Sequence, residues 1–170
     1  VLSIDSRIQQ AAQDALAGQV GAVVALNPET GAVYALASSP TFDAANYEEL
    51  LTAAADGGSD SSELFNRATQ ALRQVGSNIK PFLYTAAMDK GLTLASMLND
   101  VPISRWDAGA GSDWQPKNSP PQYAGPIRLR QGLGQSKNVV MVRAMRAMGV
   151  DYAAEYLQRF GFPAQNIVHT

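Results

Sequence analysis

Apolar residues recur at helical spacing over residues 6–17, where Ile8, Ala11, Ala12, Ala15 and Leu16 share one side behind Asp5 or Ser6 as a cap. The pattern then changes. Residues 20–26 (VGAVVAL) and 32–38 (AVYALAS) are short apolar runs flanking Asn27-Pro28-Glu29-Thr30-Gly31, where Pro and Gly sit as a turn requires, and they predict a β-hairpin. Residues 40–63 lose periodicity: Pro40, Gly57-Gly58 and a Ser/Asp cluster surround one short helical stretch, Tyr47–Ala55, and predict a surface excursion. Helical spacing returns with Phe82, Leu83, Ala86 and Ala87, and Gly91 stops it. Residues 99–127 are rich in Pro and Gly and predict a long, mostly irregular segment carrying Trp106 and Trp114. Leu129–Leu133 predicts a helical turn. Asn138–Met148 predicts a helix with a Val139, Val142, Met145 stripe, ended by Gly149. Asp151–Phe160 predicts another, capped by Asp151 and stopped by Gly161. The elements describe one α+β domain, or most of one.

Two polar motifs interrupt this frame. In Ser77-Asn78-Ile79-Lys80 the serine and lysine are three apart, so a helix opening at Ser77 puts Lys80 on the same face one turn on. A serine hydroxyl is a weak nucleophile and needs an adjacent base; a desolvated lysine with a lowered pKa can serve. Gly76 permits a tight approach to the helix, and Pro81 is tolerated in a first turn. Downstream lies Ser136-Lys137-Asn138. The plain alternative makes Ser77 an N-cap with Lys80 a solvated helical residue, and Ser136 and Asn138 a second cap pair.

Composition narrows the chemistry. The 170 residues hold no Cys, which excludes a disulfide framework and a thiolate metal site. The one His, at position 169, makes a Ser-His-Asp triad a poor fit and a histidine-rich metal site impossible. A net charge of −2 with no basic run argues against nucleic acid as partner. No run reaches the roughly 18 apolar residues of a membrane span, so any membrane anchor of a parent protein lies outside this sequence. Arg128, Arg130, Arg143 and Arg146 read as a solvated or ion-paired face, and Met141, Met145 and Met148 as core packing. Trp106 and Trp114 either pin the irregular segment to the core, the more ordinary use of loop tryptophans, or line a substrate groove.

The order of motifs resembles the transpeptidase domain of penicillin-binding proteins, most closely the bifunctional class A type of gammaproteobacteria. Leu2-Ser3-Ile4-Asp5 with Ile8-Gln9 is similar to the opening of that domain, and GAVVALNPETGAVYAL to its first hairpin. Phe65-Asn66-Arg67-Ala68-Thr69-Gln70 runs into the serine motif as in the family. Trp114, Pro116 and Asn118, then Tyr123 and Gly125, resemble the approach to the second motif. Residues 38–63 look more like monofunctional, class B enzymes, and Val75-Gly76 stands where Pro-Gly is more usual. The resemblance implies a helical lobe with a mostly antiparallel sheet, and a D,D-transpeptidase at the periplasmic face of the inner membrane. Ser77 would attack the penultimate D-Ala carbonyl of a peptidoglycan stem peptide, with Lys80 as base. Ser136 would bridge Lys80 to the leaving amine, and Asn138 would hold the Lys80 ammonium or the donor amide. Trp114 and Lys137 would bind substrate. No metal or cofactor is implied, and β-lactams would acylate Ser77.

The family's third motif, K-[ST]-G, does not occur in these residues. The expectation is therefore the N-terminal part of the domain, supplying two N-terminal strands only. The C-terminal strands would lie beyond Thr170, one sheet edge would be left unpaired, and a second polypeptide could complete the sheet. A serine β-lactamase or D,D-carboxypeptidase would share both motifs. A non-catalytic half-domain used for assembly is the alternative from another class.

Overall fold

Asp5 starts the first helix, as its position ahead of the apolar repeat predicts: its carboxylate accepts the N–H groups of Arg7 and Ile8 at the start of α1 (Ser6–Ala15). The computed structural model describes residues 2–55, 63–104, 107 and 114–167. It divides into two compact units, Val1–Gln74 and Val75–Thr170.

In the first unit, β1 (Gly21–Leu26) and β2 (Val33–Ser39) form the expected antiparallel hairpin, registered from Gly21 opposite Ser39 to Leu26 opposite Val33. Asn27 closes the turn, its side-chain oxygen accepting the N–H groups of Glu29 and Thr30 at 2.8 and 2.9 Å. Ala12 of α1 and Leu16, the residue that caps its C-terminus, pack on Ala35 and Ala37, flanked by Val23 and Ala25. The inward face of α1 differs from the predicted one. Ala11 and Ala15 are exposed, whereas Gln9 is half-buried. The Gln9 amide donates to Leu36 O at 3.1 Å and accepts the Leu36 N–H at 2.8 Å. The outer edge of β2 needs partners for its backbone, and a bifunctional amide supplies both at once. The Asp5 N–H covers Tyr34 O on the same edge, at 3.0 Å. Among the described residues no further strand joins this sheet. Helix α2 (Tyr47–Ala55) follows a turn capped by Asp43. Gly57-Gly58 and the Ser/Asp cluster lie outside the described residues.

The second unit is a helical layer. A 3₁₀ turn (Gly76–Ile79) leads into α3 (Lys80–Asp89); α4 (Leu129–Gly134), α5 (Asn138–Met148) and α6 (Val150–Leu157) follow. Leu83, Tyr84, Ala86 and Ala87 of α3 pack against Val140, Met141, Ala144 and Met148 of α5 and Ala153 and Leu157 of α6. The methionines are core residues as expected: Met141 and Met148 are buried and Met145 packs alongside. The packed stripe of α5 is rotated by about one residue from the predicted one. The i, i+4, i+8 positions Val140, Ala144 and Met148 pack with α3; of the predicted stripe, Met145 lies at the edge of this cluster and Val139 is buried outside it. At α6 the cap is Gly149, with Asp151 in the first turn, where its charge suits the helix N-terminus. Gly161, with φ +87°, ends the following 3₁₀ turn in the left-handed region.

The largest departure from the sequence reading is a second small sheet. β3 (Met97–Asp100) pairs antiparallel with β4 (Gly125–Arg128), Met97 opposite Arg128 and Asp100 opposite Gly125. The described residues thus form four strands in two sheets, rather than the first hairpin alone. Each new strand has four residues, too few to show alternation, and Pro126 inside β4 argues locally against a strand. Buried Ile127 and Asp100 anchor the pair.

Candidate active site

Gly76 has φ +57°, a region glycine enters freely, and it turns the chain into the 3₁₀ segment that carries Ser77. Ser77 is exposed. The α-helix proper opens three residues later than Ser77, at Lys80, whose N–H bonds to Ser77 O. Pro81 falls in the first turn of α3, where its missing N–H is not needed. The serine and lysine still face the same way. Lys80 is 6% exposed, not solvated.

The second motif sits on the short connection between α4 and α5. Ser136 has φ +52°, the one non-glycine residue with positive φ among those described. Its N–H bonds to Leu133 O at 2.9 Å, and the Lys137 N–H bonds to Gly132 O at 2.8 Å, so the turn is closed by α4's own last carbonyls. This strained turn aims the Ser136 hydroxyl at Ser77, with 3.1 Å between the two oxygens. Lys80 Nζ lies 3.0 Å from Ser136 Oγ, 2.6 Å from Ser136 O and 2.7 Å from Asn138 Oδ1. Asn138 cannot flip away, because its Nδ2 donates to Lys117 O at 2.9 Å. The cap-pair reading of Ser136 and Asn138 is therefore wrong: Lys137 is the N-cap of α5, its side chain making no capping bond, and both polar side chains turn to Lys80.

The donor count shows what this arrangement can do. An ammonium has three N–H donors, and the three oxygens accept all of them. A neutral amine has two N–H donors and a lone pair. It would keep Ser136 O and Asn138 Oδ1 and accept from Ser136 Oγ, which in turn would accept from Ser77. The same heavy-atom positions serve both states, so a proton can leave Ser77 by way of Ser136 without rearrangement. Burial lowers the Lys80 pKa below the ordinary 10.5, which favours the neutral state.

The backbone strain at Ser136 yields a prediction. Ser136→Gly and Ser136→Ala both remove the hydroxyl, but only glycine relaxes the positive φ. The glycine variant is expected to be more stable than the alanine variant by about 1 kcal/mol. In thermal melts that is a gap of roughly 2–4 °C for a chain of this size. Equal melting temperatures would show that the turn carries no strain.

The other residues singled out from the sequence fare differently. Lys137 does not present a free ammonium: Nζ is 3.1 Å from Asp100 Oδ2 and 2.9 Å from Gln122 O. Trp114 is 58% exposed, which corrects the expectation that it pins its segment to the core; Trp106 and His169 lie outside the described residues. Arg143 is ion-paired with Asp107 at 3.6 Å. The sequence reading missed Asp100, fully buried and bonded to Asn118 Nδ2 at 2.6 Å and to the Ala124 N–H at 3.0 Å. Burial opposes its charge, but these hydrogen bonds and Lys137 outweigh it and hold its pKa below the usual carboxylate range. Nothing in the local sequence around Asp100 marks it.

A family model described as the penicillin binding protein transpeptidase domain matches residues 21–168. The chain belongs to this family. Penicillin-binding protein 1A of Escherichia coli (strain K12) is 77% identical over 149 residues, covering 88% of this chain and 15% of that protein. The crystal structure of penicillin-binding protein 1A from Haemophilus influenzae, 49% identical, superposes with a TM-score of 0.64 over 85% of this chain and 19% of that one. A penicillin G acyl-enzyme complex of penicillin-binding protein A from M. tuberculosis, 30% identical, gives 0.76 over 94% of this chain and 39% of that one. The penicillin-binding protein resemblance read from the motifs therefore holds, as does the α+β transpeptidase fold. The chain spans about 15% of the length of this Escherichia coli relative. Among the described residues, no helix is long and apolar enough to cross a membrane.

Proposed function

We propose that this chain carries the serine-acylating part of a D,D-transpeptidase that cross-links peptidoglycan stem peptides, and that β-lactams acylate it. The observation behind this reading is the continuous contact from Ser77 Oγ through Ser136 Oγ to the buried Lys80 amine. Ser77 Oγ attacks the carbonyl carbon of the penultimate D-Ala. Its proton passes by Ser136 to neutral Lys80. The C–O bond forms, the peptide C–N bond breaks, and the proton returns through Ser136 to the leaving amine. D-Ala departs, leaving an ester on Ser77. An amine of a neighbouring stem peptide attacks that ester. It surrenders a proton to the same relay, which restores the Ser77 hydroxyl. Asn138 Oδ1 holds the Lys80 amine throughout, and exposed Trp114 offers a surface for the stem peptide. A β-lactam enters the first half of this cycle, but its leaving nitrogen stays tethered and the ester persists. The reaction places the site on the periplasmic side of the inner membrane, where the substrate is.

A second reading, a half-domain that binds but does not acylate, draws on one fact: K-[ST]-G, the family's further motif, is not among these residues. In the family, the strand of that motif supplies one of the two N–H donors that hold the oxyanion, and loss of one such donor costs roughly 10²–10³ in rate. Labelling with a fluorescent penicillin, followed by intact mass, separates the two. An adduct on the wild type and none on Ser77→Ala supports acylation. No adduct on a chain that circular dichroism shows to be folded supports the half-domain.

The pH dependence follows from Lys80. The labelling rate should rise with pH through a midpoint below 10.5, because the amine must be neutral to accept the proton. Stability should move in the same sense. The folded state holds this proton less tightly than the unfolded one, so the penalty of burying the ammonium is relieved between the folded midpoint and 10.5. A rate that falls with pH in that window would remove Lys80 as the base.

A further inference from the structure

Asp100 is the most deeply buried charge described in the chain, at 0% exposure, and it touches neither Ser77 nor Lys80. A buried carboxylate is costly unless every oxygen is partnered, so where its partners lead is informative. They lead to one place. Oδ1 accepts Asn118 Nδ2 at 2.6 Å, and the far end of Asn118, Oδ1, accepts the Val139 N–H at 3.1 Å. Oδ2 accepts the Ala124 N–H at 3.0 Å and sits 3.1 Å from Lys137 Nζ. Lys117, next in the chain to Asn118, offers the carbonyl that fixes the Asn138 amide. Helix α5 has no side-chain cap of its own, and Asn118 supplies it from a distant segment. Three successive residues, Lys137, Asn138 and Val139, are therefore tied to Asp100 or to the loop that Asp100 gathers.

We infer that Asp100 is a positioning residue for acylation: through Asn118 and Lys137 it sets the arm that carries Ser136 and Asn138 against Lys80 and Ser77. The inference rests on the proposed role of Ser77. A buried carboxylate held by three donors has little freedom, and β3, which carries it, is pinned to β4 on its other flank. Asp100→Asn keeps the shape and the bond from Asn118. It turns an NH₂ group against the Ala124 N–H and the Lys137 ammonium, two donors facing a donor. The arm must then shift, and displacement of about 1 Å in such a constellation costs on the order of 10²-fold in rate.

The test compares the 170-residue wild-type chain with Asp100→Asn, Asn118→Ala and Lys137→Met. Acylation by a fluorescent penicillin is resolved into non-covalent affinity and the first-order acylation step, with ¹H–¹⁵N spectra of the same samples. The expected result is slowing of the acylation step by about 10²-fold in Asp100→Asn and in Asn118→Ala, with affinity little changed. Lys137→Met removes only one of the three donors and should slow it less. The Asn138 side-chain amide and Val139 backbone signals should move in Asp100→Asn. A merely structural carboxylate would lower the melting temperature yet leave the rate per folded molecule and those signals in place, and that result overturns the inference. If Asp100→Asn does not fold, an unaltered acylation step in both other variants overturns it. If the wild type is not acylated at all, the role of Ser77 falls, and the Asn138 and Val139 signals alone decide whether Asp100 sets the arm.

Discussion

Lys80→Met is expected to lose acylation by about 10³-fold while the chain stays folded. Methionine is close to lysine in length and suits a site where the lysine is 6% exposed, so the packing of α3 survives. What disappears is the lone pair that, in the proposed mechanism, takes the Ser77 proton. Ser136 would still touch Ser77, but a serine hydroxyl has nowhere to pass the proton on. Lys80→Arg sharpens the argument. Arginine keeps the positive charge and can still donate to Ser136 O and Asn138 Oδ1, yet it is not deprotonated in proteins. If the lysine acted only as a fixed charge, arginine would retain a large share of the rate. Single-turnover labelling with a fluorescent penicillin, at several pH values, measures both variants. An arginine variant within tenfold of wild type would mean that the base is elsewhere.

Gly132→Ala is expected to be the most destabilising single methyl group that could be added in α4. A Cβ at Gly132 would lie 2.5 Å from Val140 Cγ1, 3.1 Å from Val140 Cβ and 2.8 Å from the Tyr84 hydroxyl. Tyr84 is 1% exposed and Val140 0%, both deep in the core of the second unit. Neither can swing aside into solvent, so α4 must move away from α3 and α5. Overpacking of this kind costs about 3 kcal/mol. That corresponds to a fall of roughly 6–12 °C in melting temperature. The acylation rate should drop as well, because Gly132 O receives the Lys137 N–H and so closes the turn that aims Ser136. Gly134→Ala is the control: it is in the same helix, with no atom of the described residues within 4 Å of the added carbon, its own chain neighbours and helix backbone aside. Adding Tyr84→Phe to Gly132→Ala should recover part of the loss. It removes one of the clashing atoms and a buried hydroxyl that has no hydrogen-bond partner among the described residues. Equal melts for Gly132→Ala and Gly134→Ala would refute the close approach of α4 and α5.

Local signals read well wherever one short stretch contains its own reason. Asp5 before an apolar repeat, Asn27 to Gly31 between two apolar runs, and Gly149 after Met148 each settle a boundary, and the structure places a helix start, a turn and a helix end there. The polar site was legible in part, since Ser77 and Lys80 on one turn already suggest an activated nucleophile. Phase was harder. Gln9 faces inward because Leu36 on β2 needs a donor and an acceptor, and no residue near Gln9 in sequence says so. The α5 stripe is set by what α3 offers it, and the spacing of its own apolar residues allowed two neighbouring faces. β3 and β4 escaped because each is a four-residue strand whose partner lies far along the chain. Asp100 escaped for the same reason, since its role exists only once Asn118, Ala124 and Lys137 have come to it.

The two halves of the polar site come from distant segments: 56 to 59 residues separate Lys80 and Ser77 from their contacts at Ser136, and 58 separate Lys80 from Asn138. Such contacts form only after a long loop has closed, which places them late in folding. Given the acylation proposed above, a covalent penicillin label would report more than chemistry. Added as a pulse during refolding, it would tag only molecules whose α4–α5 turn has already met α3, and so would act as a clock for the arrival of the native state.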